Sequence, residues 1–349
     1  MTVPRSYKWI PFVALVAATA PTWGEDAALR HAVDTVTARV VKLYGLAAGR
    51  QVGYGSGIVV SDAGLVLTVL SSLIEAQPVR ATDARGRRYE AEVVYRDRIR
   101  QLALLRLRPL AGTARSQVDP AVTGLSYFAL KDEATLLPGD WVITAGNAFK
   151  VAEGSEPVSL AHGVFSVRTP LDARRRVKDF PYHGDVLVID AITSNPGGPG
   201  SAVVNLDAKL VGMIGRFVTA NLTHTHFNYA VPTDVLADFL EEALDPDLQR
   251  QAADRATDAA HAEPLDVGIR LTHVGYQQTL PFVERVRRSS RAARAGVRKD
   301  DLILTVNGRS ITSVEDFQQQ MRRISPDAGI DLVLRRKKRI ITLRIEGES

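Results

Sequence analysis

Between Thr35 and Pro232 the chain is one short β-branched run after another. Gly57-Ile58-Val59-Val60, Trp141-Val142-Ile143-Thr144 and Val186-Leu187-Val188-Ile189 are representative. Turn signals separate such runs: Asp62-Ala63-Gly64, Arg85-Gly86, Pro138-Gly139-Asp140 and Leu206-Asp207. β-branched side chains suit a pleated, half-buried surface, whereas Gly, Pro and Asp interrupt it. No long helical periods alternate with the strands, so the pattern argues for antiparallel barrels or sandwiches and against a parallel sheet. The expected class is mainly β. At 349 residues, 45% hydrophobic and 24% charged, the chain is ordinary globular material, enough for two or three compact units.

Residues 1–24 read as an export signal. Arg5 and Lys8 precede the mostly apolar stretch from Trp9 to Ala20, and the acidic pair Glu25-Asp26 follows Gly24. An apolar stretch of that length is too short to span ~30 Å of hydrocarbon. The expectation is a periplasmic chain cut after Gly24, with an uncleaved anchor facing the periplasm as the alternative. The chain has no cysteine, which excludes disulfides, thiolate metal sites, iron–sulfur clusters and a cysteine nucleophile.

After Pro232 the pattern changes. Thr233 is expected to cap a helix whose stripe is Val235, Leu236, Phe239 and Leu240. Residues 244–263, rich in Ala, Asp and Gln, read as a linker with some helical character. Residues 264–349 read as a compact mixed unit. Strands are expected at 267–273, 280–286, 301–306, 330–335 and 339–345. A helix is expected from Ser313 to Ile324, with a short capping pattern formed by Ser313 and Asp316. Charge is concentrated in this unit: 264–349 carry 17 basic against 10 acidic residues, a net +7, while 25–263 carry −4. Arg287 to Lys299 and Arg335 to Arg339 hold most of the excess. With no interleaved aromatics, it reads as a solvated basic face that makes weak contact with anionic surfaces, not as a specific nucleic-acid site.

The ordered string of segments resembles the HtrA/Do family of exported serine proteases. Gly55 to Thr68, Asp97 to Leu107, Gly139 to Phe149, Asp190 to Gly212 and Asn228 to Thr233 carry the resemblance to its trypsin-like part. Val267-Gly268-Ile269 and Ala292 to Gly308 carry the resemblance to its PDZ domain. The resemblance implies a trypsin-like double β-barrel over 25–243 and a PDZ domain over 264–349, with an active site between the barrels.

Acyl transfer there requires a hydroxyl nucleophile, an imidazole base and a carboxylate that orients it. The family's histidine lies three residues after Leu67-Thr68, where this chain has Ser71. Its carboxylate precedes the Leu-Ala-Leu-Leu run, where this chain has Gln101. Its serine falls on Pro199 in Asn195-Pro196-Gly197-Gly198-Pro199-Gly200-Ser201. Proline also lacks the N–H that an oxyanion hole uses. Loss of one such donor costs about 10²–10³ in rate, and loss of serine or histidine about 10⁶. The expectation is a pseudoprotease, with no catalytic residue and no cofactor. The alternatives are an endopeptidase using Ser201, two positions late, and a metal-binding barrel built on His224, His226 and His183. His224 and His226 point to one face of an extended segment.

The PDZ resemblance implies capture of a peptide or protein C-terminus. Val267, Gly268 and Ile269 would hold the carboxylate, and Val314 and Phe317 on the helix would form the facing wall. An active protease relative is a candidate partner. The family trimerises through an aromatic-rich N-terminal segment; Asp26 to Tyr44 is helix-like instead, so an oligomer is compatible with the chain but a trimer is not implied.

Overall fold

The computed structural model describes residues 23–347, apart from 47–51, 77, 111–121, 132–133, 151, 153, 176–177, 194, 222, 262 and 273–278. The expected signal segment lies outside these, except that Trp23 and Gly24 open helix α1 (Trp23–Ala38). No described helix is long and apolar enough to cross a membrane.

The first barrel contains β1 (Val40–Leu46), β2 (Val52–Val59) and β3 (Leu65–Val69). The short helix α2 (Ser72–Glu75) leads from β3 to β4 (Val79–Thr82), β5 (Arg88–Asp97) and β6 (Leu102–Pro109). The strands close antiparallel in the order β1-β2-β3-β6-β5-β4. Along β5, buried Tyr89, Ala91 and Asp97 are interspersed with exposed residues, as expected of a strand with one face in the core. Strand β6 is buried on both faces from Leu102 to Leu105. One face fills the barrel and the other joins the core shared with the second barrel.

The second barrel begins with β7 (Trp141–Gly146) and β8 (Ser159–Pro170). It continues, past the short strands β9 (Ala173–Arg175) and β10 (Lys178–Asp179), with β11 (Asp185–Ile189), β12 (Ala202–Val204) and β13 (Leu210–Ile214). After β14 (Val218–Ala220) and β15 (His226–Phe227) it closes on β16 (Tyr229–Pro232), in the order β11-β16-β13-β12-β7-β8. Strands β10-β9-β14-β15 form a separate small sheet.

Polar bonds tie the barrels together. Buried Ser56 on β2 donates to Gly197 O (2.7 Å) and accepts from Asn147 N–H (2.8 Å). Lys42 is fully buried on β1, and its ammonium donates to the Glu156 (2.9 Å) and Gly154 carbonyls. Its pKa is lowered by burial.

Helix α3 (Thr233–Leu244) follows β16 directly. Leu236, Phe239 and Ala243 are buried, with Val235 and Leu240 packed beside them, so the expected stripe is present. Thr233 does not cap the helix. Its hydroxyl bonds Leu210 O (3.1 Å), and the N-cap position is Pro232, without a side-chain cap. Glu242 takes hydrogen bonds from Tyr95 (2.8 Å) and Arg100 (3.0 Å), pinning the helix to the first barrel. The segment expected as a linker is largely helix α4 (Pro246–His261), held at its start by Gln249 donating to Ala243 O (2.8 Å).

The terminal unit comprises β17 (Ile269–Leu271), β18 (Val283–Val286), the short helix α5 (Arg291–Arg294), β19 (Leu302–Val306) and β20 (Arg309–Ser310). Helix α6 (Val314–Arg322) and the hairpin β21 (Ile330–Arg336)–β22 (Arg339–Ile345) complete it. Strands β17 and β18 pair, and β20-β19-β21-β22 form the larger sheet. Ser313 caps α6 by accepting the Asp316 N–H (3.0 Å), as the spacing predicts; the Asp316 carboxylate reaches back to Thr312 N–H (3.0 Å).

The basic residues of this unit are not all on a solvated face. Arg291 is buried and donates to Glu346 O (2.7 Å) and Ala328 O (3.2 Å). Arg336 grips the fully buried Asp301 through two bonds of 2.7 Å. Lys337, Lys338 and Arg339 are exposed.

Candidate functional site

Three loops converge where the barrels meet. The β3–α2 corner brings Ser71, the β5–β6 turn brings Gln101, and the 195–201 loop brings Pro199. Ser71 and Pro199 line one cavity of about 220 Å³, together with Tyr54, Ser72, Arg175 and Arg216. Ser71 precedes α2 in an extended conformation, and its hydroxyl makes no cap bond. Gln101 sits in the left-handed region (φ 59°), its carbonyl accepting Leu70 N–H (2.7 Å) and its amide donating to Arg98 O (2.6 Å).

Arg216, on the connection between β13 and β14, joins these positions. Its guanidinium donates to Leu70 O and to Gln101 Oε1 (3.2 Å). It thereby crosses from the second barrel to the first, beside the two residues read as replacements for imidazole and carboxylate. Burial, with neighbouring Arg175 second, pushes its pKa down to about 10. Sequence reasoning missed Arg216 because nothing local distinguishes one arginine in a turn.

The 195–201 loop directs its amides inward. Gly198 N–H bonds Asn195 O (2.8 Å), Gly200 N–H bonds Ile214 O (2.8 Å) and Ser201 N–H bonds Gly198 O (3.0 Å). Gly200 has φ 89°, and a Cβ there would overlap the Ser56 carbonyl, so glycine is required on both counts. Ser201 is buried, with its hydroxyl on Ser56 Oγ (3.3 Å), which is already engaged by Gly197 and Asn147. The structure thus places Ser201 beneath the loop in a neutral hydroxyl network.

The histidines do not converge. His224 (φ 57°) and His226 are exposed, and His224 Nδ1 faces the Arg174 guanidinium at 2.6 Å. A cation in that position repels a metal. His183 instead meets Arg309 of the terminal unit, with Nε2 at 3.1 Å, and Arg309 also lies 3.6 Å from Asp172. Burial first, then Arg309 and Arg323, pushes the His183 pKa down to about 3. Among the described residues no three of His, Asp or Glu converge as a metal-binding set.

In the terminal unit, Gly268 has φ 89° and packs so closely that a Cβ would overlap Ser290. Gly268 O accepts Arg287 N–H (2.9 Å) and Val267 O accepts Ala292 N–H (3.0 Å). Gly268 N–H is held by the Asp266 carboxylate (2.7 Å), which also pairs with Arg287 (2.7 Å). The Gly268 bond is the main reason the Asp266 pKa is lowered. Val267 and Phe317 belong to the domain core, and Val314 is buried at the start of α6, so their side chains serve packing more than the open wall expected of Val314 and Phe317. Ile269 on β17 is half-buried.

The trypsin-like peptidase domain family matches residues 55–213, and the PDZ domain family matches residues 282–336. The chain is 27% identical over 275 residues to serine protease HTRA4 of Mus musculus, covering 77% of this chain and 52% of the relative. It is 24% identical over 301 residues to the periplasmic serine endoprotease DegP of Salmonella typhimurium, covering 84% and 56%. The chain spans just over half the length of these curated relatives. A solved serine endoprotease from Yersinia pestis aligns over 91% of this chain and 96% of its own, with 24% identity and a TM-score of 0.47.

Proposed function

We propose that this chain, which belongs to the HtrA family of trypsin-like peptidases with a PDZ domain, binds protein partners without hydrolysing them. The observation that carries this reading is the composition of the cleft. Ser71 and Pro199 line it, and Arg216 spans it to Gln101, where family chemistry requires imidazole, hydroxyl and carboxylate. Pro199 has neither a hydroxyl nor an N–H to offer, and the amides of Gly198, Gly200 and Ser201 are turned to internal carbonyls. Among the described residues buried Ser201 meets the Ser56 hydroxyl and no base, which argues against a relocated nucleophile.

The binding role falls to the PDZ domain, which takes a chain terminus as an added strand. Scaffolding or regulation of an active protease relative follows from that capability. On this reading the mature chain works in the periplasm, which its N-terminal pattern and the periplasmic relative support.

The test is incubation of the purified chain with unfolded casein and with a fluorophosphonate probe. The expected result is neither cleavage nor labelling. Labelling at Ser201, abolished by Ser201→Ala, would overturn the reading. A pull-down comparing the chain with a form lacking 264–349 tests the binding role; identical captured proteins would refute use of the PDZ groove.

A further inference from the structure

We propose that the inter-barrel cavity is a receptor for an acidic side chain of an extended polypeptide, with Arg175 and Arg216 as its two cationic walls. Both arginines line the same cavity of about 220 Å³. That is space for one or two side chains. The inference goes beyond the PDZ reading, because the receptor belongs to the barrels.

Arg100 faces Asp97 and Glu242, Arg168 faces Asp185 and Asp234, and Arg336 faces Asp301. Arg216 is at least as enclosed as these, yet among the described residues its guanidinium bonds two neutral oxygens, Leu70 O and Gln101 Oε1. Buried Arg291 does the same with two carbonyls, so what singles Arg216 out is that it lines the cavity beside a second arginine. Glu75, which acts on Arg216 only weakly, is paired with Arg98 at 3.3 Å. Among the described residues no carboxylate lies in ion-pair range of either Arg175 or Arg216. Two like charges at one partly dehydrated cavity repel, and a bound anion relieves both the repulsion and the desolvation.

The remaining surfaces select the anion. Guanidinium groups grip a planar carboxylate through paired hydrogen bonds. Ser71 and Ser72 add hydroxyls at the same wall. Tyr54 and the partly exposed Phe217 supply apolar faces, which suit the neighbours of an acidic residue in a peptide and have no use for a small inorganic ion.

The experiment uses the full chain and a fluorescein-labelled, C-terminally amidated pentapeptide with a central glutamate between leucine and phenylalanine, compared with its glutamine counterpart. The blocked end removes the free terminus that a PDZ groove requires, so failure of the PDZ reading leaves this test intact. Fluorescence polarisation should show the glutamate peptide binding at least about tenfold more tightly, the scale of one charged hydrogen bond. Arg175→Gln, on an exposed strand end, should remove that preference, as should Arg216→Gln. Arg216→Lys should retain part of it. Equal binding of the two peptides, or an unchanged preference in Arg175→Gln, would overturn the proposal. Displacement of the peptide by inorganic phosphate at a lower concentration than by unlabelled peptide would likewise overturn the assignment to a peptide carboxylate.

Discussion

Replacing Asp301 by alanine should selectively unfold the terminal domain while leaving the barrels intact. Asp301 is fully buried, and its carboxylate receives two 2.7 Å bonds from Arg336 and one of 2.8 Å from Arg298 N–H. Removing one partner of a buried pair strands the other charge and costs about 3–5 kcal/mol. A unit spanning 264–349, at ~0.05–0.15 kcal/mol per residue, has only about 4–13 kcal/mol in reserve. For a domain this size each 1 kcal/mol shifts Tm by about 4–8 °C, so the variant should lose at least about 12 °C. Calorimetry of the full chain should therefore show an early transition that the parent lacks. The double variant Asp301→Leu/Arg336→Met removes both charges, and should recover most of the loss, because an apolar pair of similar volume replaces a buried ion pair at little net cost. A drop below about 1 kcal/mol in Asp301→Ala, or a double variant no more stable than the single, would refute the reasoning.

Ser56→Ala should destabilise the barrels by about 2–3 kcal/mol in urea melts, because it leaves Gly197 O and Asn147 N–H buried without their partner. Ser313→Ala should cost the terminal domain about 1 kcal/mol by removing the α6 cap, measured by the same melts. Acid should loosen the contact between the second barrel and the terminal domain. The docked His183 resists protonation down to about pH 3, whereas a free imidazole titrates near 6.5. Docking is therefore full above about pH 6.5 and declines as pH falls towards 3, by on the order of 1–2 kcal/mol once solvent screening is allowed for. Scattering or limited proteolysis across that range should show a larger change in the parent than in His183→Gln, which keeps only the loss of the Asp172–Arg309 pair.

The barrels and the order of terminal strands were legible because short β-branched runs alternate with turn residues, a pattern visible in any short window even where, as in β6 and β13, both faces are buried. Helix α4 was not, since its Ala, Asp and Gln residues supply helix propensity without the large apolar stripe that marks an amphipathic helix. Thr233 was misread for a related reason: a hydroxyl before a helical stripe looks like a cap, but Leu210 on a neighbouring strand offers it a buried carbonyl that sequence spacing cannot reveal. Ser71, Gln101 and Pro199 were found through resemblance, one aligned position at a time. Arg216 came into view only when three segments far apart in the chain met, and Arg336 was counted with the exposed basic run until its carboxylate partner, 35 residues upstream, appeared beneath it.

The Asp266 carboxylate on Gly268 N–H has a consequence for recognition. Were the 267–269 turn to seat a chain terminus as proposed, that terminus would find the Gly268 amide already occupied, so docking there would exchange one oxyanion for another. The net gain is a difference between two similar bonds, with Arg287 free to follow either. A seat of that kind would favour shallow affinity and rapid release over long residence.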